Sequence, residues 1–169
     1  MAALLALALS GCAGTVSHQA TITTSPIGPY PSFSGRLIVM QPTKRWQVSL
    51  QWQANTSEQG RLRITHAATA TVVELRWQGE SMHIRDNQHP DWRYIEAGEL
   101  SEHGIIIPPN ELAAILLGHM PAHFIQKDEQ TWESRQSGRL IRLRWQQELR
   151  RLTMTDIKHG LKAVLNIQP

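Results

Sequence analysis

The sequence has little of what usually marks an enzyme or a disulfide-bonded secreted domain. Cys12 is its only cysteine, so no disulfide can form within the chain. It contains no glycine-rich phosphate-binding loop, no Cys-x-x-Cys pair and no nucleophile motif. Its acidic residues form no close pair at a predicted cleft, so acid–base chemistry has no evident anchor. We therefore expect no catalytic residues, no cofactor and no enzymatic activity.

The sequence also gives little support for a metal site or for nucleic-acid binding. His119 and His123 have a spacing of four, but Pro121 between them is incompatible with a regular helix that would bring both to one face. The net charge of +3 is small, and the arginines are scattered through predicted strands. Such arginines are typical of a solvated face, with weak attraction to an anionic membrane as the alternative. We expect no metal ligands and no nucleic-acid partner.

An apolar run over residues 4–9 leads into Ser10-Gly11-Cys12 near the start of the chain. A short apolar helix followed by small residues is typical of a secretory leader, and the run is too short to span a bilayer. A cysteine directly after the cleavage point is the residue that carries a diacylglycerol in bacterial lipoproteins. We predict a signal peptide over residues 1–11 and lipidation of Cys12; the alternative is a buried apolar helix with a chance cysteine.

The rest of the chain divides into a tether and one domain. Residues 12–32 are rich in Ser, Thr and Pro and show no apolar period, which predicts an extended tether. Residues 33–169 have the length of a single domain, and 41% hydrophobic and 18% charged residues in the whole chain are typical of a globular protein.

Within this domain, apolar and polar residues alternate in short segments separated by turns. The clearest segment is Trp46 to Gln53, and similar alternation continues through Trp92–Ile95, Arg139–Gln146, Arg151–Asp156 and Leu161–Ile167. Strands at this spacing predict a mainly β fold built from antiparallel hairpins. One interruption, residues 105–118, predicts a short helix that Asn110 caps and Gly118 ends.

The apolar faces of these elements allow two interpretations. A curved antiparallel sheet with a helix across its open side can enclose a hollow for a lipid, or the same residues can form a packed core. Periodicity alone favours the packed core. In the first interpretation the lining residues are Val48, Leu50, Trp52, Leu62, Ile64, Leu75, Trp77, Leu112, Ile115 and Leu116.

Three stretches bear on this choice because together they resemble one family. They are Phe33–Val39 with Ser49–Gln53, residues 107–121 with Ile107-Pro108-Pro109 and Leu117-Gly118, and Leu152–Thr155 with Leu161–Leu165. They are similar to the LolB family of outer-membrane lipoprotein receptors. The resemblance implies a half-open antiparallel β-barrel with a short helical lid over a hydrophobic cavity.

The resemblance also implies a function. Members of the family accept lipoproteins, through their acyl chains, from a LolA-like periplasmic carrier and insert them into the outer membrane without a nucleotide at that step. We therefore expect a monomer anchored through Cys12 to the inner leaflet of the outer membrane, on its periplasmic face. The alternatives are an envelope lipoprotein that binds another amphiphile, such as a fatty acid or glycolipid, and a purely structural lipoprotein.

One loop departs from the family pattern. The family exposes a leucine from a loop between two early strands, where it is thought to touch the membrane. The corresponding loop here is residues 66–70, and Ala68 stands at the leucine position beside Ala67. We expect this loop to face the membrane but to contact it weakly.

Overall fold

The computed structural model describes residues 23–24, 26–100, 105–136 and 138–168 of the 169-residue chain. The predicted signal peptide and the predicted lipidation site, Cys12, lie outside these residues. None of the described helices is long and apolar enough to cross a membrane.

The described residues form mainly strands, with two short helices. The strands are β1 (Thr23–Thr24), β2 (Ser32–Met40), β3 (Arg45–Thr56), β4 (Gln59–His66), β5 (Thr71–Gln78), β6 (Ser81–Asp86), β7 (Arg93–Tyr94), β8 (His119–Met120), β9 (Ile125–Asp128), β10 (Thr131–Gln136), β11 (Arg139–Gln146), β12 (Arg151–Asp156) and β13 (Leu161–Ile167). The helices are α1 (Ala97–Leu100) and α2 (Pro109–Leu116), both between β7 and β8.

Eleven of these strands form one antiparallel sheet in the order β7-β6-β5-β4-β3-β2-β13-β12-β11-β10-β9. Neighbouring strands are consecutive in the chain except β2 and β13, the first and last strands of this sheet, which pair with each other. The segment that contains α1, α2 and β8 connects β7 at one edge to β9 at the other. The sheet is open, with β7 and β9 at its edges, and β1 pairs separately with β8. This confirms the predicted mainly β class.

The alternation in the sequence gives the sheet two chemically different faces. In β3, Val48, Leu50 and Trp52 are buried, whereas Ser49 and Gln51 between them are exposed. In β11, the buried side chains are Ile141, Leu143 and Trp145, as the period of two predicts. We call the apolar side the inner face and the charged side the outer face.

Helix α2 lies on the inner face, where it packs against β3 and β4. Its start differs from the prediction: the helix begins at Pro109, Pro108 occupies the cap position, and no side chain caps it. Asn110 is therefore not the cap; its Oδ1 instead accepts a hydrogen bond from the Glu111 backbone N–H. Proline in the first turn has its φ already fixed for a helix and needs no hydrogen-bond partner there, so the start is shifted upstream. We call residues 105–120, which include α2, the lid.

Candidate functional site

The ten residues predicted to face a hollow lie together on the inner face and the lid. Nine of them are buried and Ile64 is half-buried, and all belong to or pack against one apolar cluster. The sheet register explains this, because Trp52, Leu62 and Leu75 are directly opposite one another on three neighbouring strands. In this structure the lid side chains pack against them. That the ten residues line a cavity for a ligand stays a prediction.

Aromatic residues from distant parts of the sequence extend this cluster. The ring centroids of Trp52 and Trp77 are 5.1 Å apart, and those of Phe33 and Trp52 are 6.1 Å apart. Tyr30 connects this group to Trp145, with 5.9 Å between centroids. Sequence reasoning did not include Tyr30, Phe33 or Trp145, although the inward position of Trp145 follows from the alternation in β11.

Two indole N–H groups in this cluster have no hydrogen-bond partner among the described residues. They are Nε1 of Trp52 and Nε1 of Trp145, and both side chains are almost completely buried. The neighbouring Trp77 differs, since its Nε1 donates to the Ser57 carbonyl at 3.0 Å. A buried donor without an acceptor is costly, and such groups are uncommon in native proteins. The inner face therefore carries two buried hydrogen-bond donors that have no acceptor among the described residues.

The chain that enters the domain holds the C-terminal end of the lid helix. The Tyr30 N–H donates to the Leu116 carbonyl at 2.7 Å, and Ile27 is fully buried. Gly28, at φ +103°, passes so close that a Cβ there would lie 2.3 Å from the Leu116 oxygen. Packing therefore begins ahead of residue 33, where the sequence places the start of the domain.

A buried carboxylate ties the other end of the lid to the sheet. Asp156 Oδ2 accepts hydrogen bonds from Arg139 Nε at 2.8 Å and from His159 Nδ1 at 2.9 Å. Arg139 Nη2 also donates to the Ile106 carbonyl at 3.1 Å, just before the lid helix. Burial raises the pKa of Asp156, but the hydrogen bonds from His159 and Arg139 outweigh it and hold the pKa below the ordinary value of 3.8.

We expect Asp156→Asn to destabilise the domain by about 2 kcal/mol at pH 7, because it removes a charged acceptor of two hydrogen bonds. A carboxyl with a lowered pKa stabilises the folded state above its unfolded pKa and loses this effect as the pH falls through its folded pKa. The difference between wild type and variant should therefore narrow below about pH 4. Urea unfolding at pH 7 and at acid pH measures this difference in the free energy of unfolding. Asp91→Asn is the control, because Asp91 is exposed. An equal loss in both variants would contradict the role of Asp156.

Ala67 and Ala68 are exposed at the tip of the hairpin between β4 and β5. His66 Nδ1 lies 3.0 Å from Thr69 Oγ1, and Thr69 Oγ1 lies 2.8 Å from Thr71 Oγ1, so the tip is held by its own polar side chains. The tip thus presents two methyl groups to its surroundings. Its contact with a membrane stays a prediction.

The histidines with a spacing of four have separate environments. His123 Nε2 lies 3.5 Å from Glu111 Oε2 on the lid helix, and its ring packs on Phe124. His119 is in β8, which pairs with β1. Within the described part of the chain, no group of three or more His, Cys, Asp or Glu side chains is arranged to hold a metal ion.

Comparison with known proteins identifies the family. The family described as outer membrane lipoprotein LolB matches residues 32–158, well over half of the chain. Among solved structures, the crystal structure of a LolA superfamily protein from Nitrosomonas europaea aligns with 11% identity and a TM-score of 0.48, covering 85% of this chain and 86% of that one. No curated protein matches the chain. The match over β2 to β12 and the lid shows that this chain belongs to the LolB family of outer-membrane lipoproteins.

Proposed function

We propose that this protein is a lipid-anchored receptor that takes lipoproteins from a LolA-like periplasmic carrier and inserts them into the outer membrane. In this proposal Cys12 carries the anchor, and the acyl chains of the cargo bind between the inner face and the lid. The observation that carries the proposal is the combination of a continuous apolar inner face with the two unpaired indole N–H groups of Trp52 and Trp145.

The lid has the properties of a segment that an acyl chain can displace. Helix α2 has eight residues and no side-chain cap, so it depends on packing against the sheet rather than on its own stability. Displacing Leu112, Ile115 and Leu116 from the sheet costs roughly 6 kcal/mol. Burying one ~16-carbon acyl chain gains roughly 12 kcal/mol before entropy is subtracted. Relative to an acyl chain in water, the exchange of lid side chains for an acyl chain is therefore favourable, so binding itself requires no nucleotide hydrolysis.

The unpaired donors suggest how a lipoprotein is distinguished from plain hydrocarbon. A lipidated cysteine carries ester and amide carbonyl oxygens at the head of its acyl chains. When a carbonyl oxygen accepts from Trp52 or Trp145, it removes the cost of a buried unsatisfied donor, which an alkane cannot do. Apolar contact thus supplies affinity, and the two indoles supply preference for acyl groups.

The test uses the full-length chain with Cys12→Ser, which lacks the thiol that the anchor needs. We expect a diacylglyceryl-cysteine peptide to bind and to change the tryptophan fluorescence, whereas the same peptide without acyl chains does not bind. Trp52→Phe with Trp145→Phe should weaken this binding about tenfold or more, the worth of hydrogen bonds to buried donors.

Trp77→Phe is the matched control, because Trp77 already has a partner in Ser57. It should weaken binding of the acylated peptide by less than the double variant. Failure of the folded wild type to bind that peptide would instead support the structural lipoprotein. Equal competition by a free fatty acid would support a binder of other amphiphiles.

A further inference from the structure

The charges on the outer face are unevenly distributed between its two halves. A groove of about 750 Å³ over β3 to β6 is lined by Arg61, Arg63, Arg76 and Arg85 but by only one acid, Glu74. A second groove, of about 790 Å³, shares Arg61 and Arg76 and has no acid in its lining. At the other edge, a groove over β9 to β11 has three cations, Lys127, Arg142 and Arg144, and three acids, Asp128, Glu129 and Glu133. We call Arg61, Arg63, Arg76 and Arg85 the arginine patch.

The register of the strands places two of these arginines directly against each other. Arg61 in β4 is opposite Arg76 in β5, and the next residue in this row is His83 in β6. Like charges opposite each other destabilise a sheet. Among the described residues, no carboxylate lies within ion-pair distance of Arg61 or Arg76, whereas Glu74 pairs with both Arg63 and Arg85. This row is therefore an uncompensated cationic site that an anion would stabilise.

Trp92 fixes the orientation of the patch. Its ring lies under two guanidinium groups, with 4.4 Å from the centroid to Arg76 Cζ and 4.5 Å to Arg85 Cζ. A guanidinium stacked on an aromatic ring can keep its N–H groups at the edge for bidentate bonds to phosphate. This applies to Arg76, which has no carboxylate partner among the described residues, whereas Nε and Nη2 of Arg85 contact Glu74. The stacking thus preorganises arginine side chains that would otherwise lose rotamer entropy on binding.

The loop that carries Trp92 connects one side of the patch to the hairpin tip that carries Ala68, whereas the row of Arg61 and Arg76 lies five register positions from the pair of His66 and Thr71 that closes this tip. The loop after β6 starts at Asn87, which accepts from the Val72 N–H at 3.1 Å and donates to the Ala70 carbonyl at 3.2 Å. Asn87 therefore joins the Trp92 loop to the hairpin tip at one end of the sheet. Tyr94, exposed over 58% of its surface, belongs to the same row as Arg61 and Arg76. Tryptophan, tyrosine and arginine together are typical of a surface at a membrane interface.

The exposure of the arginines favours a surface over a pocket for one small ligand. The side chains of Arg63 and Arg85 are 52% and 40% exposed. A small molecule on such a face would keep much of its own surface in water, whereas specific small-molecule sites bury most of the ligand. Several phosphates presented side by side fit this arrangement, and a bilayer presents them in that way.

We propose that the arginine patch binds the phosphate groups of anionic phospholipids and so orients the domain on the membrane that receives the cargo. This inference rests on the proposed function, since delivery to a bilayer is what gives such a surface a purpose. It also offers a compensation for Ala68. Where the tip has only methyl groups to insert, headgroup contacts hold the domain at the interface.

The experiment measures sedimentation of the full-length chain with Cys12→Ser on vesicles of phosphatidylcholine alone or with one third phosphatidylglycerol. We expect binding to the anionic vesicles to be at least tenfold stronger and to weaken in high salt, because each arginine near the surface contributes to attraction that salt screens. The double variant Arg61→Gln, Arg76→Gln should bind the anionic vesicles about tenfold more weakly, or weaker still.

Arg142→Gln with Arg144→Gln is the matched control, with the same change of net charge on the same face. It should change binding less than twofold, and unfolding curves should show that both double variants remain folded. Equal losses in the two double variants would mean that only net charge matters and would overturn the patch. Wild-type protein that binds both kinds of vesicle equally would overturn the proposal as well. So would wild-type protein that binds an added acidic protein but not the anionic vesicles. If the protein binds anionic vesicles but not the acylated peptide, the proposed function is contradicted, whereas the proposed role of the arginine patch is supported.

Discussion

Gly28→Ala is expected to destabilise the domain by about 3 kcal/mol, because it combines a strained backbone with a direct clash. The residue has φ +103°, a conformation open almost only to glycine, and its Cβ would lie 2.3 Å from the Leu116 carbonyl oxygen. Backbone atoms cannot move aside as the end of a flexible side chain can. The clash therefore separates the entering chain from the lid helix and weakens the hydrogen bond from Tyr30 to Leu116.

Gly79→Ala separates the two causes. Gly79 also has a positive φ, +58°, but the nearest atom to its added Cβ would be 3.8 Å away, at the end of the Glu58 side chain. Only the left-handed backbone penalty applies there, which is about 1 kcal/mol. Urea unfolding of both variants gives the comparison. If the two substitutions lower the free energy of unfolding equally, the clash with the Leu116 carbonyl does not contribute to the effect of Gly28→Ala.

The sequence predicts the strands better than the segments that cover them. The bounds of β11, β12 and β13 agree with the prediction residue by residue, because each strand alternates cleanly and ends at a turn. In contrast, β7 is only Arg93–Tyr94, and β8, β9 and α1 were not predicted. These pieces are too short for a period to be visible, and contacts with distant residues decide their structure.

The same distinction applies to the candidate site. The inward positions of residues such as Leu50 and Leu75 follow from local alternation, so the sequence places them on one face. Asp156 also follows the alternation, since it comes after the buried Leu152 and Met154 in β12. What the sequence does not show is its partner Arg139, which the pairing of β11 with β12 brings to it. The pairing of Arg61 with Arg76 likewise depends on register, and the place of Trp92 depends on how its loop folds back.

Ala68→Leu is expected to increase delivery of a bound lipoprotein into liposomes roughly thirtyfold while barely changing cargo affinity. A leucine buries about three more carbons than alanine, worth roughly 2 kcal/mol when they enter the bilayer. The side chain is exposed at the hairpin tip and belongs neither to the inner face nor to the lid, so the cargo site is unaffected. Delivery is measured as transfer of labelled lipoprotein to vesicles, and affinity as binding in solution.

Leu149→Ala is the reverse change at the opposite end of the sheet, on the exposed turn between β11 and β12. If the Ala68 end is the one that meets the membrane, Leu149→Ala should leave both quantities unchanged. Full delivery by the wild type with no response to Ala68→Leu would contradict the membrane-facing role of the loop. If the wild type binds cargo but neither the wild type nor Ala68→Leu delivers it to vesicles, the protein holds lipoproteins instead of inserting them. Because delivery and affinity respond to different parts of the molecule, their ratio separates a defect at the tip from a defect on the inner face.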